Sequence, residues 1–276
     1  MAERADSQAM KLSLQENWAA AAGAWQQAAD RYSLLNDRRG EAVALHNLAQ
    51  AERALNQGAK AHDHLEEAAK LNRTDGRMDE WWRNQIALLQ LEASSENGET
   101  ASNRVQTLLP MVASLRDRSL AGVFRNELGL WQQKQGDLND AEKSFAAAEE
   151  DFKAAKDAIG LATIAVNRAE LYGQRKNFTA AIASWKEALA KFEALKNPPG
   201  IARSLAGEGR ALLMARQDLP QAEDLLRRAS RNYRLLQKPQ EEQATLELLA
   251  ECLAAKGKEE EATRIRLQLH KDRKAN

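Results

Sequence analysis

The chain has 276 residues, and its 40 Lys and Arg balance 40 Asp and Glu, so a formal charge of zero argues against a nucleic-acid surface as its main function. No hydrophobic run approaches the roughly 20 residues a membrane helix needs, and residues 1–15 lack the apolar core of a signal peptide. Cys252 is the single cysteine, which excludes an internal disulfide and leaves the redox compartment open.

One small residue sets the phase of everything else. Ala21, Ala61, Ala101, Ala141, Ala181, Ala222 and Ala262 follow one another at steps of 40, 40, 40, 40, 41 and 40 residues. A repeat of this length is one supersecondary unit that must stack on its neighbours to bury an apolar face. The predicted fold is all-α: an α-solenoid of about seven antiparallel helix hairpins, one module over residues 1–276. Its units fall at 3–37 (a cap-like start), 38–75, 77–118, 119–157, 158–197, 199–238 and 240–276 (the C-terminal cap).

In chain order, the first unit places Trp18, Ala21, Trp25 and Ala28 on one stripe, and the second carries Leu48, Ala49, Ala61, Leu65 and Ala68. The third departs from the pattern. Val105 and Leu108 stand where an aromatic and an alanine recur elsewhere, and Pro110 predicts a kink. It also holds Trp81 and Trp82, which point about 100° apart on a helix; one is expected to be structural and the other to lie on a groove wall or an interface. The fourth unit is the fullest copy, with Leu128-Gly129, Gly136-Asp137-Leu138, Ala141, Phe145 and Ala148. The fifth repeats it as Ala169, Tyr172, Asn177, Phe178, Ala181, Trp185 and Ala188. The sixth contains Gly207-Glu208-Gly209, a fragment of a phosphate loop without the strand before it or the lysine after it; tight helix packing explains it better. The seventh ends in Arg264, Arg266, Lys271, Arg273 and Lys274, cations that suit a helix C-terminus or, alternatively, an acidic partner.

These motifs resemble the tetratricopeptide repeat family: Leu-Gly, an aromatic, Gly-Asp or Gly-Asn, then Ala, an aromatic and Ala. The period exceeds the family's usual length of about 34 residues, and the excess lies in Tyr32, Phe152, Phe192 and Tyr233, eleven residues past the key alanine, each followed by an apolar turn. The loops beyond are also repeated, as Asp37 to Ala42, Asp157 to Ala162 and Asn197 to Ala202. This is similar to the long-helix variant of about 40 residues found in kinesin light chains and bacterial peptide-responsive regulators.

The resemblance implies a concave face lined by the first helix of each hairpin. By the 3.6-residue period that stripe reads Val43, His46, Gln50 and Arg53; Arg83, Ile86, Gln90 and Ala93; Val123, Asn126, Leu130 and Gln133; Thr163, Val166, Glu170 and Gly173; Ser204, Gly207, Ala211 and Met214. One position further stand Asn47 and Asn167, where long-helix members carry an asparagine that bonds an extended peptide. These amides equally suit neighbouring carbonyls, and both readings stand. The lysines of the family's clamp for a C-terminal acid are missing beside Arg53 and Arg83, which disfavours chaperone-type recognition.

No catalytic constellation and no cofactor motif emerges, so no enzyme is expected. His62 and His64 point about 200° apart on a helix and cannot share a metal there; no metal site is assigned. Two functions follow. The leading one is a scaffold binding a protein or peptide partner in its groove. The alternative is a carrier of a small hydrophobic molecule, a lipid or sterol, in an apolar cavity within a cell-envelope transport system. The expected chain is soluble, cytoplasmic if Met1 is the native start and periplasmic if a signal or lipid anchor was trimmed.

Overall fold

The computed structural model describes residues 2–94 and 98–275, with side chains for 6–94 and 98–272, and every regular element among them is helical. The helices are α1 (Ala2–Leu14), α2 (Trp18–Leu34), α3 (Arg38–Ala54), α4 (Gly58–Thr74), α5 (Met78–Ser94), α6 (Glu99–Leu108), α7 (Arg118–Gln135), α8 (Leu138–Ala155), α9 (Ala158–Gln174), α10 (Phe178–Ala194), α11 (Pro198–Ala215), α12 (Leu219–Leu235), α13 (Pro239–Ala255) and α14 (Glu259–Ala275), with a 3-10 turn at Leu109–Ser114. None is long and apolar enough to cross a membrane among the described residues. The chain forms two compact units, Met1–Leu128 and Gly129–Asn276. In the first, each helix from α1 to α6 packs on its neighbours in the chain; in the second, α8 to α14 do the same, and α11 also touches α9 and α13. Contacts between chain neighbours are the physical signature of a solenoid.

The crossings show why the small residues recur. All seven key alanines are buried, at 0 to 1% exposure. Beside them glycines face large rings: a Cβ on Gly129 would lie 2.6 Å from Phe145, and one on Gly207 would lie 2.3 Å from Trp185. A bare backbone is what lets the ring lie flat against the next helix. The Gly207-Glu208-Gly209 segment is therefore packing, with Gly209 against Leu226 in the same way.

The turn from a second helix to the next first helix uses one device three times. Asn36, Lys156 and Lys196 reverse the chain with φ of 53°, 56° and 50°, the left-handed conformation that ends many helices. Then Asp37, Asp157 and Asn197 cap the following helix by accepting from the backbone N–H of Gly40, Gly160 and Gly200, at 3.0, 2.8 and 2.8 Å. Each of those glycines sits against the ring eight residues earlier, Tyr32, Phe152 or Phe192, where a Cβ would be 2.3 to 2.4 Å from a ring carbon. The apolar extension and the repeated loop are thus one structural lock.

The third unit departs as its sequence does. Its second helix, α6, stops after 10 residues and passes into the 3-10 turn around Pro110, because proline has no N–H for the helix and its ring collides with the preceding turn. Trp81 and Trp82 are both buried, at 5% and 3% exposure, so neither serves as an exposed interface anchor. Their rings meet edge to face at 5.4 Å, and Trp82 meets Phe124 the same way at 5.4 Å. Two diverging rings both reach the core because the slots on either side of α5 are open to them.

Candidate functional site

On the first-helix side of unit Met1–Leu128, a hollow of about 260 Å³ lies between α3 and α5, lined by Val43, His46, Asn47, Gln50, Arg83 and Asn84 among others. Five of these six, all but Asn84, were expected from the sequence. Its floor is a directed ladder of hydrogen bonds. Arg77 Nε donates to Asn72 Oδ1 at 2.9 Å, Asn72 Nδ2 to Asn84 Oδ1 at 2.8 Å, and Asn84 Nδ2 to His46 Nδ1 at 2.9 Å. Arginine can only donate, so the direction is set from that end: His46 accepts at Nδ1 and, when neutral, carries its proton on Nε2. That nitrogen lies 2.9 Å from the terminal amide of Gln50, which presents an acceptor after a half-turn. Burial, and then the positive charges of Arg53 and Arg83, hold the His46 pKa below its ordinary 6.5.

Further along the same side, Arg53 donates to Gln90 Oε1 at 3.0 Å, and Asn126 donates to Glu127 Oε1 at 3.1 Å. Burial raises the Glu127 pKa, against the opposing influence of Gln90, Asn126 and Arg53. Within this hollow Asn47 is half-buried and has no hydrogen-bond partner, and Arg83 has no ion pair, among the described residues.

Unit Gly129–Asn276 has two hollows flanking α11. One of about 450 Å³ is lined by Glu170, Gly173, Phe178, Trp185, Arg210 and Met214, among others. The other, of about 200 Å³, shares Glu170, Trp185 and Arg210 and adds Arg203, Gly207, Tyr233 and Glu241. Arg203 pairs with Glu170 at 2.7 Å. Burial, and then Glu241, push the Tyr233 hydroxyl above its ordinary pKa, with Arg203 acting the other way.

Several expected groove residues lie elsewhere. Ile86, Asn126, Val166 and Asn167 are buried, at 4, 6, 1 and 4% exposure. The reason is visible at Gly207, the position equivalent to Ile86, Asn126 and Val166, which sits over Trp185 of the preceding second helix. In those repeats the register faces the core, whereas His46 at the same register lines the hollow of the first unit. Asn167 is also engaged within the protein, so the reading in which its amide satisfies neighbours fits its surroundings. Leu130 and Gln133 are half-buried on α7, while Met214 is 47% exposed. Asn84, Glu127, Arg203, Arg210 and Tyr233 were not picked from the sequence. Of the terminal basic cluster, the Arg273 and Lys274 side chains lie outside the described residues.

A charged cluster occupies the other side of the first unit. Side-chain donor atoms of His62, Glu66 and Glu92 lie within 4.8 Å of one another, a spacing that would admit a cation. The protein supplies its own. Arg104 donates to both oxygens of Glu92 at 2.8 Å, to Glu66 at 2.6 Å and to Gln85; burial opposes its charge, but the bonds from Glu92 and Glu66 outweigh that and raise its pKa. His64 bonds Glu52 instead, at 2.8 Å.

All four hollows carry charged groups. The enclosed apolar cavity that a hydrophobic cargo requires is not among them, and the carrier alternative has no support.

Residues 160–235 match the tetratricopeptide repeat family model. No match was found among curated proteins. Among solved structures, BtubC (BKLC) from P. vanneervenii is similar with a TM-score of 0.70 and 21% identity, covering 80% of this chain and 91% of that one. A signal transduction ATPase with numerous domains and a tetratricopeptide repeat sensor, from Pyrococcus horikoshii, has a TM-score of 0.73 and 17% identity over 96% of this chain and 41% of that one. A Rap protein complexed with competence and sporulation factor has a TM-score of 0.63 and 15% identity, covering 92% of this chain and 74% of that one. At these identities the likeness is one of fold. The chain is a tetratricopeptide-like helical repeat scaffold, and no enzymatic family is indicated.

Proposed function

We propose that this tetratricopeptide-like scaffold is a non-enzymatic binding protein that holds an extended segment of a protein or peptide against its first helices, in the hollow between α3 and α5. The observation that carries the reading is Asn47. A half-buried amide offers one acceptor and two donors, the complement of a peptide group, and leaving it unmatched inside a groove is costly. Asn47 has no partner among the described residues and lines a hollow with His46, Gln50 and Arg83. The ladder beneath holds His46 and Gln50 in place, so the groove is ordered before a ligand arrives and loses less entropy on binding. A Rap protein of this fold is complexed with competence and sporulation factor, which supports ligand binding by such an architecture.

The test is selection of a random-peptide display library on the wild-type protein, followed by affinity measurement on Asn47→Ala. Enriched peptides should lose about tenfold in affinity, the equivalent of one lost hydrogen-bonded pair, with the melting temperature unchanged. Equal binding to both proteins would remove the groove from consideration.

A further inference from the structure

Another hollow lies on the opposite, second-helix side of the first unit. It is a trough of about 580 Å³ between α4 and α6, floored by α5. It exists because α6 is short, because it turns away at Pro110, and because Val105 stands where other units carry a ring. The volume falls in the range of sites that bury small molecules.

Its inventory of polar groups is unbalanced. Glu92 is occupied by Arg104 and His62, and Arg104 also reaches Glu66 and the side-chain oxygen of Gln85. Donors remain over. The Trp81 indole N–H has no hydrogen-bond partner among the described residues, although the residue is only 5% exposed. Gln85, at 7% exposure, has its oxygen bonded and its NH2 group without a partner among the described residues. On the rim, Lys70 and Arg73 form no ion pair among the described residues, and Arg73 lies 5.6 Å over the Trp81 ring. Cations in the last turns of α4 suit the helix C-terminus, but that does not account for the two donors of buried residues beneath them, which are left open to the trough. The trough thus presents more open donors than open acceptors, and with two unpaired cations on its rim it is matched by an acceptor with negative charge.

We propose that the trough binds a small organic anion, a carboxylate or a phosphate, with its charged group toward Lys70 and Arg73 and its apolar body over Trp81 and Leu108. The site shares no residue with the hollow around Asn47, and it stands or falls separately from that groove.

The test is titration of the full chain, labelled with 15N-tryptophan, with phenyl phosphate, benzoate and the neutral analogue benzamide. The Trp81 indole resonance is identified by its loss in Trp81→Phe. It should move saturably with phenyl phosphate or benzoate and not with benzamide, and the tighter of the two names the anion. In Lys70→Gln with Arg73→Gln, both exposed positions, the affinity should fall about tenfold while the melting curve is unchanged. Absence of a saturable shift with either anion, an equal response to benzamide, or undiminished affinity in the double variant would overturn the proposal.

Discussion

Replacing Glu223 by glutamine should remove a pH-dependent clamp at the C-terminal end of the second unit. Glu223, on α12, has a side chain only 12% exposed and is bonded by Arg227 at 2.9 Å, by Lys258 at 3.1 Å and by Lys256. It thereby ties α12 to the turn between α13 and α14. Burial alone would raise its pKa; the bonds from Lys256, Arg227 and Lys258 win and hold it down to about 2, against an ordinary 4.5. At roughly 1.4 kcal/mol per pH unit, that difference corresponds to about 3 kcal/mol. A lowered carboxylate pKa stabilises the fold fully above pH 4.5 and is lost as the pH falls toward about 2. Urea denaturation of wild type and Glu223→Gln across this window isolates the effect, because every other titration is common to both. The expected result is a gap of about 3 kcal/mol at neutral pH that closes on acidification. Parallel curves, or a gap at neutral pH well under about 1 kcal/mol, would show that the cluster behaves as an ordinary surface pair.

Two other consequences are equally direct. His46 should titrate below 6.5 in an NMR experiment; because the unfolded chain takes up the proton first, stability should decline as the pH drops below 6.5, and His46→Gln should flatten that slope. Gly207→Ala would place a Cβ 2.3 Å from Trp185, so overpacking of about 1–3 kcal/mol should exceed the roughly 1 kcal/mol that alanine contributes through helix propensity. A net gain in urea midpoint would refute the close-approach argument.

The repeat was legible because its signal is steric. Ala141, Gly129 and Gly207 lie where two helices leave no room, so small residues must recur in phase, and Phe145 and Trp185 fill what the small residues leave open. Tyr32, Phe152 and Phe192 were legible for the same reason, as rings locked over a glycine. The groove was only partly so. A stripe drawn through every third or fourth residue caught His46, Asn47, Gln50 and Arg83, but its edge fell on Ile86, Val166 and Asn167, which turn inward. The same two registers hold His46 and Asn47 in the hollow, so helical phase alone does not separate groove from core. The trough over Trp81 was out of reach, since it follows from where α6 ends rather than from any residue that lines it.

The polar network had a signal of its own. His46 meets Asn84, Arg53 meets Gln90, Arg38 meets Asp75 and Arg104 meets Glu66, at separations of 38, 37, 37 and 38 residues. In the second unit Arg203 meets Glu170 and Arg175 meets Glu142, each 33 apart. These separations fall just short of the 40-residue step because a side chain reaches the equivalent helix of the next hairpin from one or two turns away. In a stack whose contacts run between adjacent bricks, a buried or half-buried polar residue often has its partner about one repeat along the chain. Searching at that spacing locates the bond from Asn84 to His46, though not that from Asn72 to Asn84, which are 12 residues apart, and it points to groups that find no partner in a neighbouring repeat. Asn47, and the indole of Trp81 with the NH2 group of Gln85, are such groups among the described residues, and the two proposals rest on them.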